Sequence, residues 1–451
     1  MKKIKGPYFK NEFFEFMSKN GIKEVGRMDL NNNPFLQALG DYPLNDIPQF
    51  IEEEGIVELR RCSSILPKLI MKFLRHKSEV RDTGFFEMLG CDVECFRKSL
   101  EVDLLNTLCF RADLILTGSG YKVVEFNVGT NLGGWDTRFQ EEVFVENSVF
   151  QRFLREEMVS ARCVDPLLNY ISMLSSAVKG LDVYDKNTKS IIVIFNPNYD
   201  NKATDFVISI LEGISSTLDD NLKFVAVSSI EEITFQKQQA SINNETISGI
   251  VFPTRTWGEN DRNFTDEILE LWWGNKIILP ENPLSIAMGD KRVLASLWQE
   301  RHDVGYSEDE LKVIERYLCE SFSLLNCSLS LSELVNNKDN FVIKPGIGLQ
   351  GDGVLVGKYT DQVTWEETVS KEYGRGGFLI QEFEESVPVV AYHNEEIQLF
   401  KAVWGVFSFG LEYSGAWLRM SLDNETFDGV INSSLGATES IVFELSPTEK
   451  V

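Results

Sequence analysis

The chain has 451 residues, enough for two or three domains, because a single hydrophobic core stops growing near roughly 250 to 300 residues. Its composition, 43% hydrophobic and 25% charged, is that of an ordinary globular protein, and no apolar run reaches the roughly 18 residues that a membrane helix needs. With 69 acidic and 44 basic residues the net charge is −25, which disfavours nucleic acids and anionic membrane surfaces as partners.

The start of the chain and the cysteines predict a cytoplasmic protein. The first residues are basic, but the continuous apolar stretch and the small-residue cleavage site of a secretory signal do not follow them. The cysteines are scattered and odd in number, which is typical of reduced thiols rather than of a disulfide framework. They are Cys62, Cys91, Cys95, Cys109, Cys163, Cys319 and Cys327.

Residues 1 to about 105 are predicted to be mostly helical, and no catalytic pattern is visible in them. From Glu52 to Lys77 apolar residues recur close to helical spacing, at Ile56, Leu59, Ile65, Leu66, Leu69, Ile70 and Phe73. Further along, the longest polar connections are around Asp185 to Ser190 and around Arg301 to Glu310. We take these two connections as candidate domain boundaries.

Residues 104 to 127 predict a β-hairpin, because two runs of β-branched and aromatic residues flank the turn Thr117 to Gly120. Arg111 and Asp113 are two apart on the first strand, and Glu125 and Asn127 are two apart on the second, so alternation places each pair on one face. Two carboxylates, an amide oxygen and a guanidinium then converge, a set that suits Mg²⁺ and an anionic oxygen. The alternative is an edge hairpin with a surface salt bridge.

Residues 186 to 285 alternate apolar strands with helical stretches, a βαβ pattern that predicts a small parallel sheet. The segments of this pattern are Ser190 to Phe195, Thr204 to Leu211, Lys223 to Val227, Gly249 to Phe252 and Lys276 to Leu279.

A glycine-rich loop joins two predicted strands later in the chain. The strand Phe341 to Lys344 ends in a lysine, and the strand Val354 to Gly357 follows the loop. Glycines let backbone N–H groups approach an anion, and the lysine adds a positive charge, so the segment is typical of a flexible phosphate-covering hairpin. The alternative is a glycine-rich hairpin without a ligand. The loop glycines are Gly346, Gly348, Gly351 and Gly353.

Three further features are weak when taken singly. Phe378 to Phe383 predicts an apolar strand that turns polar at its end, where an adenine could be held by hydrogen bonds. Lys291 stands at a predicted helix start, and Arg419 follows the predicted strand Leu399 to Ser408. Each of these two cations is more often a surface charge than a ligand.

Other chemistries find little support in the sequence. The three histidines, His76, His302 and His393, stand in no recognisable nucleophile or metal pattern. No glycine fingerprint opens a helix after the strand at Ile191, so a dinucleotide site is not indicated. Electrostatic and metal-assisted phosphoryl chemistry, which needs no histidine, is favoured.

Taken in order, these segments resemble the ATP-grasp superfamily, and specifically its permuted members such as the synthetase domain of glutathionylspermidine synthases. The resemblance spans roughly residues 105 to 425. It comprises an Arg-x-Asp strand and a Glu-x-Asn strand, an acidic-Pro segment before a lysine and a Leu-Trp helix, a Lys-Pro strand with a glycine-rich turn, a hinge strand and a late arginine. The corresponding residues are Arg111 to Asp113, Glu125 to Asn127, Pro280 to Trp298, Lys344 to Val354, Phe378 to Phe383 and Arg419.

The resemblance implies a role for each candidate residue. Asp113, Glu125 and Asn127 would hold magnesium, Lys291 and Lys344 would bind the phosphates of ATP, and Gln381 and Glu382 would face adenine. The loop glycines Gly348, Gly351 and Gly353 would form a lid over the nucleotide, and Arg111 and Arg419 would neutralise the transferring phosphoryl group and the acyl phosphate.

After Glu-x-Asn, however, the relatives usually continue with an Ala-Asp-x-Pro turn, whereas this chain has Val128 to Trp135. Because of this difference, the resemblance implies the reaction class but does not identify the substrates.

The predicted fold class is therefore α/β (α+β), a permuted ATP-grasp fold with a small parallel α/β subdomain and a glycine-rich lid. The predicted domains are residues 1–185, a helical region with the metal-binding hairpin at 104–135; 186–285, the βαβ subdomain; 286–398, the lid and hinge; and 399–451, strands that return to the core.

The predicted function is an ATP- and Mg²⁺-dependent ligase of small-molecule or peptide carboxylates and amines, acting without nucleic acid or membrane. The alternatives are a non-catalytic nucleotide or metabolite sensor and a structural partner protein; the sequence also leaves a homodimer open.

Overall fold

The computed structural model describes residues 9–23, 25, 44–196, 201–218, 222–236, 238–252, 265–348, 350–394 and 396–448. Helices alternate along this part of the chain with three sheets, two of them mixed and one antiparallel, which confirms the α/β (α+β) class. None of the helices in these ranges combines the length and the apolar character needed to cross a bilayer.

The α-helices of the described chain range in length from 6 to 27 residues. In chain order they are α1 (Glu12–Lys19), α2 (Glu53–Glu79), α3 (Thr83–Leu89), α4 (Val93–Ser99), α5 (Thr137–Glu146), α6 (Ser148–Glu157), α7 (Pro166–Lys179), α8 (Asn201–Thr217), α9 (Asp266–Trp273), α10 (Pro283–Gly289), α11 (Lys291–Glu300), α12 (Glu308–Tyr317), α13 (Leu331–Asn336) and α14 (Gln362–Glu372).

The strands are spread over the whole described chain. They are β1 (Gln49–Ile51), β2 (Cys109–Thr117), β3 (Gly120–Val128), β4 (Val159–Arg162), β5 (Ser190–Phe195), β6 (Leu222–Val227), β7 (Thr234–Gln236), β8 (Gln239–Ile242), β9 (Glu245–Val251), β10 (Ser321–Ser323), β11 (Phe341–Pro345), β12 (Leu355–Val356), β13 (Phe378–Glu382), β14 (Val389–His393), β15 (Glu396–Phe409), β16 (Glu412–Leu422) and β17 (Thr438–Pro447).

Three sheets organise these strands. The largest has eight strands in the order β1-β17-β16-β15-β2-β3, with β14 added to β15 and β4 added to β17. A second sheet has the order β10-β13-β11-β12, and a third has the order β6-β5-β9-β8-β7. The hairpin β2–β3 and the late strands β15 and β16 therefore lie in one sheet, although about 300 residues separate them in the chain.

Most of the local predictions match these elements, but Lys276 to Leu279 forms one isolated bridge rather than a strand, and the strand predicted at Val354 to Gly357 covers only Leu355–Val356. The apolar pattern from Glu52 to Lys77 forms α2, which packs its buried face against the large sheet. The βαβ pattern is confirmed, because β5 pairs in parallel with both β6 and β9, and Ile278 adds a parallel bridge to Gly249. The predicted domain boundaries stay a prediction.

Candidate active site

The hairpin β2–β3 brings its four polar residues to one patch. In the antiparallel register Arg111 lies opposite Asn127, and Asp113 lies opposite Glu125. Strand β15 continues the sheet beyond β2, and β16 continues it beyond β15, with Arg419 on β16. Because side chains alternate between the faces of a strand, residues from four neighbouring strands can meet on this one face.

Asp113 is the centre of this patch. Its carboxylate accepts hydrogen bonds from Arg111 Nε at 2.6 Å and Nη2 at 2.9 Å, from Arg419 Nη2 at 2.5 Å and from Asn127 Nδ2 at 3.0 Å. The residue is 2% exposed, and burial by itself would raise its pKa. The charges of Arg111 and Arg419 outweigh burial and lower the pKa of Asp113 to about 2, so the carboxylate is ionised.

The side chain of Glu125 extends from the hairpin toward the helix α11. Asn127 Nδ2 donates to Glu125 Oε1 at 3.0 Å, and Lys291 Nζ lies 3.5 Å from Glu125 Oε2. Burial would raise the pKa of Glu125, but Lys291 and then Lys344 offset it, so that the pKa lies below its ordinary value. Both acids of the hairpin are thus anionic and face cations.

Lys344 comes to the same place from the second sheet. It is 7% exposed, and its Nζ donates to the backbone oxygen of Val124 at 3.1 Å and to Gln381 Oε1 at 2.7 Å. Burial lowers the pKa of Lys344, while Glu125 raises it. Gln381 Nε2 in turn donates to Ser321 Oγ at 3.0 Å, so the neighbouring strand β10 fixes this amide.

The glycine-rich loop packs against α11 and against residues 429–435. Lys291 donates from its backbone N–H to the oxygen of Gly346 at 3.0 Å and from Nζ to the oxygen of Gly348 at 3.1 Å. Gly351 has φ +79°, and a Cβ there would come 2.6 Å from Val430 Cγ1. A residue with a side chain is therefore excluded at Gly351 both by the backbone and by the close contact.

Two neighbouring clefts collect most of the predicted residues. A cleft of about 950 Å³, including space open to solvent, lies between the large sheet and the glycine-rich loop; among its lining residues are Asp113, Glu125, Lys344, Gly351, Gln381, Glu382 and Arg419. A second cleft of about 730 Å³ is lined by Asn127, Lys291 and Gly348, among others. Two predicted residues line neither cleft: Gly353 packs against Pro345, and Arg111 lies behind Asp113.

Trp417 and Gly405 belong to the site although the sequence did not single them out. The guanidinium carbons of Arg111 and Arg419 lie 5.2 and 5.1 Å from a ring centroid of Trp417. A Cβ at Gly405 would come 2.8 Å from Arg111 Cδ, so only glycine leaves room for the arginine. Trp417 could have been found from its position two residues before Arg419, which places both on one face of a strand.

The donor set of the hairpin fits a magnesium ion. Glu125 and Asn127 offer hard oxygen ligands beside the cleft, whereas both oxygens of Asp113 already accept hydrogen bonds from arginines or Asn127. In the described part of the chain, no group of three or more His, Cys, Asp or Glu side chains is arranged to hold a metal ion. The predicted set of two acids and one amide is smaller than such a group and stays a prediction.

Comparisons with known proteins show the fold. No protein-family model and no curated protein matches the chain. A glutathione synthetase-like effector from Globodera pallida, solved in the apo form, matches with a TM-score of 0.55 and 12% identity over 89% of this chain and 90% of that one. At this identity the likeness establishes a shared fold.

Two further structural matches have TM-scores below 0.5. They are a putative γ-glutamylcysteine synthetase from Methylobacillus flagellatus (TM-score 0.41, 11% identity, 84% of this chain and 87% of that one) and D-alanyl-alanine synthetase A from Vibrio cholerae (TM-score 0.28, 9% identity, 58% and 89%). The resemblance to glutathionylspermidine synthases remains a prediction.

Proposed function

We propose that the protein is an ATP-dependent carboxylate–amine ligase that forms an amide through an acyl phosphate. The observation that carries the proposal is the convergence of Lys291, Lys344 and Arg419 with Asp113 and Glu125 between the large sheet and the glycine-rich loop. Such a set concentrates cations in a protein of net charge −25, and phosphoryl transfer depends on this kind of charge neutralisation. The shared fold with a glutathione synthetase-like effector supports the same reaction class.

In this proposal the nucleotide lies between the second sheet and the loop. Lys344 and Lys291 bind its phosphates, and the backbone of the loop around Gly348 and Gly351 covers them. Gln381 and Glu382, at the end of β13, border the base. Since Gln381 is already fixed by Lys344 and Ser321, its position is set before the nucleotide binds.

Magnesium, which the chemistry of ATP calls for, would be held by Glu125 and Asn127 and would neutralise phosphate charge. Asp113 stays a predicted ligand, and its contacts support a further role. It orients Arg111 and Arg419 through hydrogen bonds from their guanidinium groups. Arg419, which lines the larger cleft, thus meets a substrate carboxylate with its direction already fixed.

The bonds formed and broken in the proposed reaction balance without an oxidant and without a further cofactor. A substrate carboxylate oxygen bonds to the γ-phosphorus of ATP while the bond from that phosphorus to the β-phosphate oxygen breaks, which releases ADP. An amine nitrogen then bonds to the acyl carbon, loses a proton, and displaces phosphate. Arg419 neutralises the acyl phosphate, and water is kept out by the loop; positioning and charge together supply most of the rate.

Amine-dependent ADP release tests the proposal. The purified chain is incubated with ATP, Mg²⁺, hydroxylamine as a general amine, and a panel of carboxylates. We expect Lys344→Ala and Glu125→Ala to lower the rate by about 10² to 10³, because each removes one charged side chain that stabilises the transition state. Lys371→Ala, which removes an exposed lysine of α14, is the matched control and should leave the rate unchanged.

Full activity in either site variant would contradict the assignment. ATP binding in magnesium without ADP release on any carboxylate would favour the non-catalytic sensor instead.

A further inference from the structure

The second cleft, of about 730 Å³, contains a carboxylate to which the proposed reaction gives no role. Glu281 lines this cleft together with Thr130, Asn127 and Lys291, and it is only 3% exposed. Glu281 stands two residues before α10, and Lys291 stands two residues after it. Because α10 has seven residues, it is about 10 Å long, and it separates the buried carboxylate from the lysine. The residues of α10 that line the cleft are Ser285, Ile286 and Gly289.

The surroundings of Glu281 hold one of its oxygens in place. Glu281 Oε2 accepts a hydrogen bond from the backbone N–H of Phe252, the residue that follows β9, at 3.1 Å. On the other side is Gly129, which has φ +106° and where a Cβ would lie 3.3 Å from Glu281 Cγ. A glycine at this position lets the loop after β3 approach the carboxylate closely. Glu281 is thus fixed between this loop and the end of β9.

Two neighbouring polar atoms in the wall of the second cleft lack a partner. Neither Glu281 Oε1 nor Thr130 Oγ1 makes a hydrogen bond in the described chain, although Thr130, like Glu281, is more than nine-tenths buried. Thr130 directly follows Gly129, where a Cβ would lie 3.5 Å from Glu281 Oε1, so the two oxygens are close together. Buried polar atoms are rarely left unpaired in native proteins, so a ligand group or an ordered water is required between them.

Glu281 also lacks a neutralising cation. It forms no ion pair among the residues that the structure describes, and Lys291 at the other end of α10 lies beside Glu125 instead. Burial raises the pKa of Glu281 above its ordinary value, although Thr130 and the N–H of Phe252 lower it. A carboxylate with a raised pKa is a better proton acceptor near neutral pH than an ordinary one.

We propose that Glu281 accepts the proton of the attacking amine, and that Thr130 helps to hold this amine in the second cleft. The N–H groups of the amine donate to Glu281 Oε1 and Thr130 Oγ1. The nitrogen bonds to the acyl carbon, the bond from this carbon to the phosphate oxygen breaks, and one N–H proton passes to Glu281 Oε1. The products are the amide, phosphate and a protonated Glu281, which then releases its proton to water. This inference rests on the proposed ligase function and assigns its general base.

The second cleft suits the amine because it adjoins the cleft that the proposed function gives to the nucleotide. Glu125 lines the larger cleft and Asn127 lines the second one, and Asn127 Nδ2 donates to Glu125 Oε1 at 3.0 Å. The two clefts therefore adjoin at the predicted magnesium ligands, where the γ-phosphoryl group would be transferred. An amine in the second cleft reaches the acyl phosphate without competing with the nucleotide for space.

Two reactions measured on one preparation separate the amine step from the phosphoryl step. The phosphoryl step is followed without amine, with an accepted carboxylate, as exchange of oxygen-18 from the β,γ-bridging position of ATP into the non-bridging positions of its β-phosphate. The amine step is followed as hydroxylamine-dependent ADP release. We expect Glu281→Gln to lower kcat for the amine step by about 10²- to 10⁴-fold, the usual contribution of a general base, and to leave the isotope exchange unchanged.

Thr130→Val tests the second unpaired oxygen. Valine keeps the shape of the side chain without the hydroxyl, so KM for hydroxylamine should rise about 3- to 10-fold, as for one lost hydrogen bond, while the isotope exchange stays unchanged. Glu444→Gln is the matched control, because Glu444 is also a buried acid whose Oε1 lacks a partner among the described residues, but it lines neither cleft and pairs with Arg162 at 2.8 Å. It should leave both steps unchanged.

Equal losses in both steps for a folded Glu281→Gln would overturn the inference and leave the ligase function standing, because Glu281 would then act on the phosphoryl step as well. An unchanged amine step in this variant would overturn it too. If Glu281→Gln does not unfold cooperatively in urea, Thr130→Val decides, and an unchanged KM for hydroxylamine overturns the inference. Absence of both isotope exchange and ADP release in the wild-type chain with every carboxylate would instead overturn the proposed function, and the inference with it.

Discussion

At the scale of single residues, the acidic and basic side chains of the site hold one another in position. Asp113 orients both arginines, and these arginines keep Asp113 ionised despite its burial. Breaking a buried ion pair by removing one partner is far more costly than replacing the whole pair, because the remaining charge is uncompensated. Glu439, opposite Arg419 on β17, forms no ion pair among the described residues, and its pKa of about 7 makes its protonation depend on pH in the ordinary range.

Glu439 gives the protein a pH-dependent stability that a variant can remove. Its pKa is about 7 in the folded chain against an ordinary 4.5, so the folded state holds this proton more tightly than the unfolded state. The contribution of Glu439 to the free energy of unfolding is therefore highest below pH 4.5 and declines, by roughly 2 to 3 kcal/mol, as the pH rises to 7.

Urea denaturation across this pH range tests the linkage. We expect the stability of the wild-type chain, measured relative to Glu439→Gln, to fall between pH 4.5 and pH 7 and to change little above it. Parallel stability curves for the two proteins would show that Glu439 titrates normally. Glu444→Gln serves as the control on the same strand.

At the scale of elements, strand β15 makes room for residues of the catalytic face because it carries a glycine, Gly405, at the centre of the sheet. Gly405 is paired with Asp113 on β2 and with Trp417 on β16. The side chains of Arg111 and Trp417 both pass close to it. A Cβ there would come 2.8 Å from Arg111 Cδ and 3.3 Å from Trp417 Cε3. The strand thus leaves the space in which Arg111 turns toward Asp113.

Gly405→Ala should harm activity more than stability. The added methyl displaces Arg111 from Asp113, so we expect amine-dependent ADP release to fall at least tenfold, while the free energy of unfolding falls by about 1 to 3 kcal/mol, as for other overpacked cores. Kinetics and urea titration on the same preparation measure both effects.

Gly213→Ala in α8 is the matched control for this change, since a Cβ there meets no heavy atom within 4 Å. It should leave ADP release unchanged. An unaltered rate in Gly405→Ala would mean that Arg111 has room elsewhere and is not held by this contact.

At the scale of the whole molecule, the last described strand holds the large sheet together. β17 pairs in parallel with β1 and antiparallel with β16 and β4. Its Phe443 packs in a fully buried aromatic cluster that joins distant parts of the chain, with ring centroids 5.0 Å apart between Phe443 and Phe150. The other rings of this cluster are Phe13, Phe16, Phe50, Phe144 and Phe153.

Removal of β17 should therefore abolish folding. We expect a chain that ends at Ala437 to lose its cooperative thermal transition, because β1 and β4 lose their only partner strand among the described residues and the aromatic cluster loses Phe443. A chain that ends at Thr448 retains the whole strand and should unfold cooperatively. Circular dichroism during heating measures both, and a cooperative transition in the shorter chain would refute this role of β17.

Much of the local structure could be predicted from the sequence, whereas the completed site could not. Two patterns could be recognised because they lie within short stretches of sequence. They are the alternation around Asp113 and Glu125 and the glycines after Lys344. Which strand lies beside β2 depends on pairing between residues about 300 positions apart, which periodicity does not encode. Glu281 was missed for a similar reason: it is an isolated acid in the sequence and becomes significant only because the loop after β3 and the end of β9 bury it in the wall of the second cleft.

The central claim is that the cleft activates a carboxylate by phosphorylation, and oxygen transfer tests it most directly. An accepted carboxylate substrate is labelled with oxygen-18 in both carboxyl oxygens, and the phosphate released with ADP is analysed by mass spectrometry. An acyl phosphate places one labelled oxygen in each phosphate, because the carboxylate oxygen that attacks phosphorus leaves with it when the amine arrives. Phosphate without label would contradict the account, since ATP would then be cleaved without activation of the carboxylate.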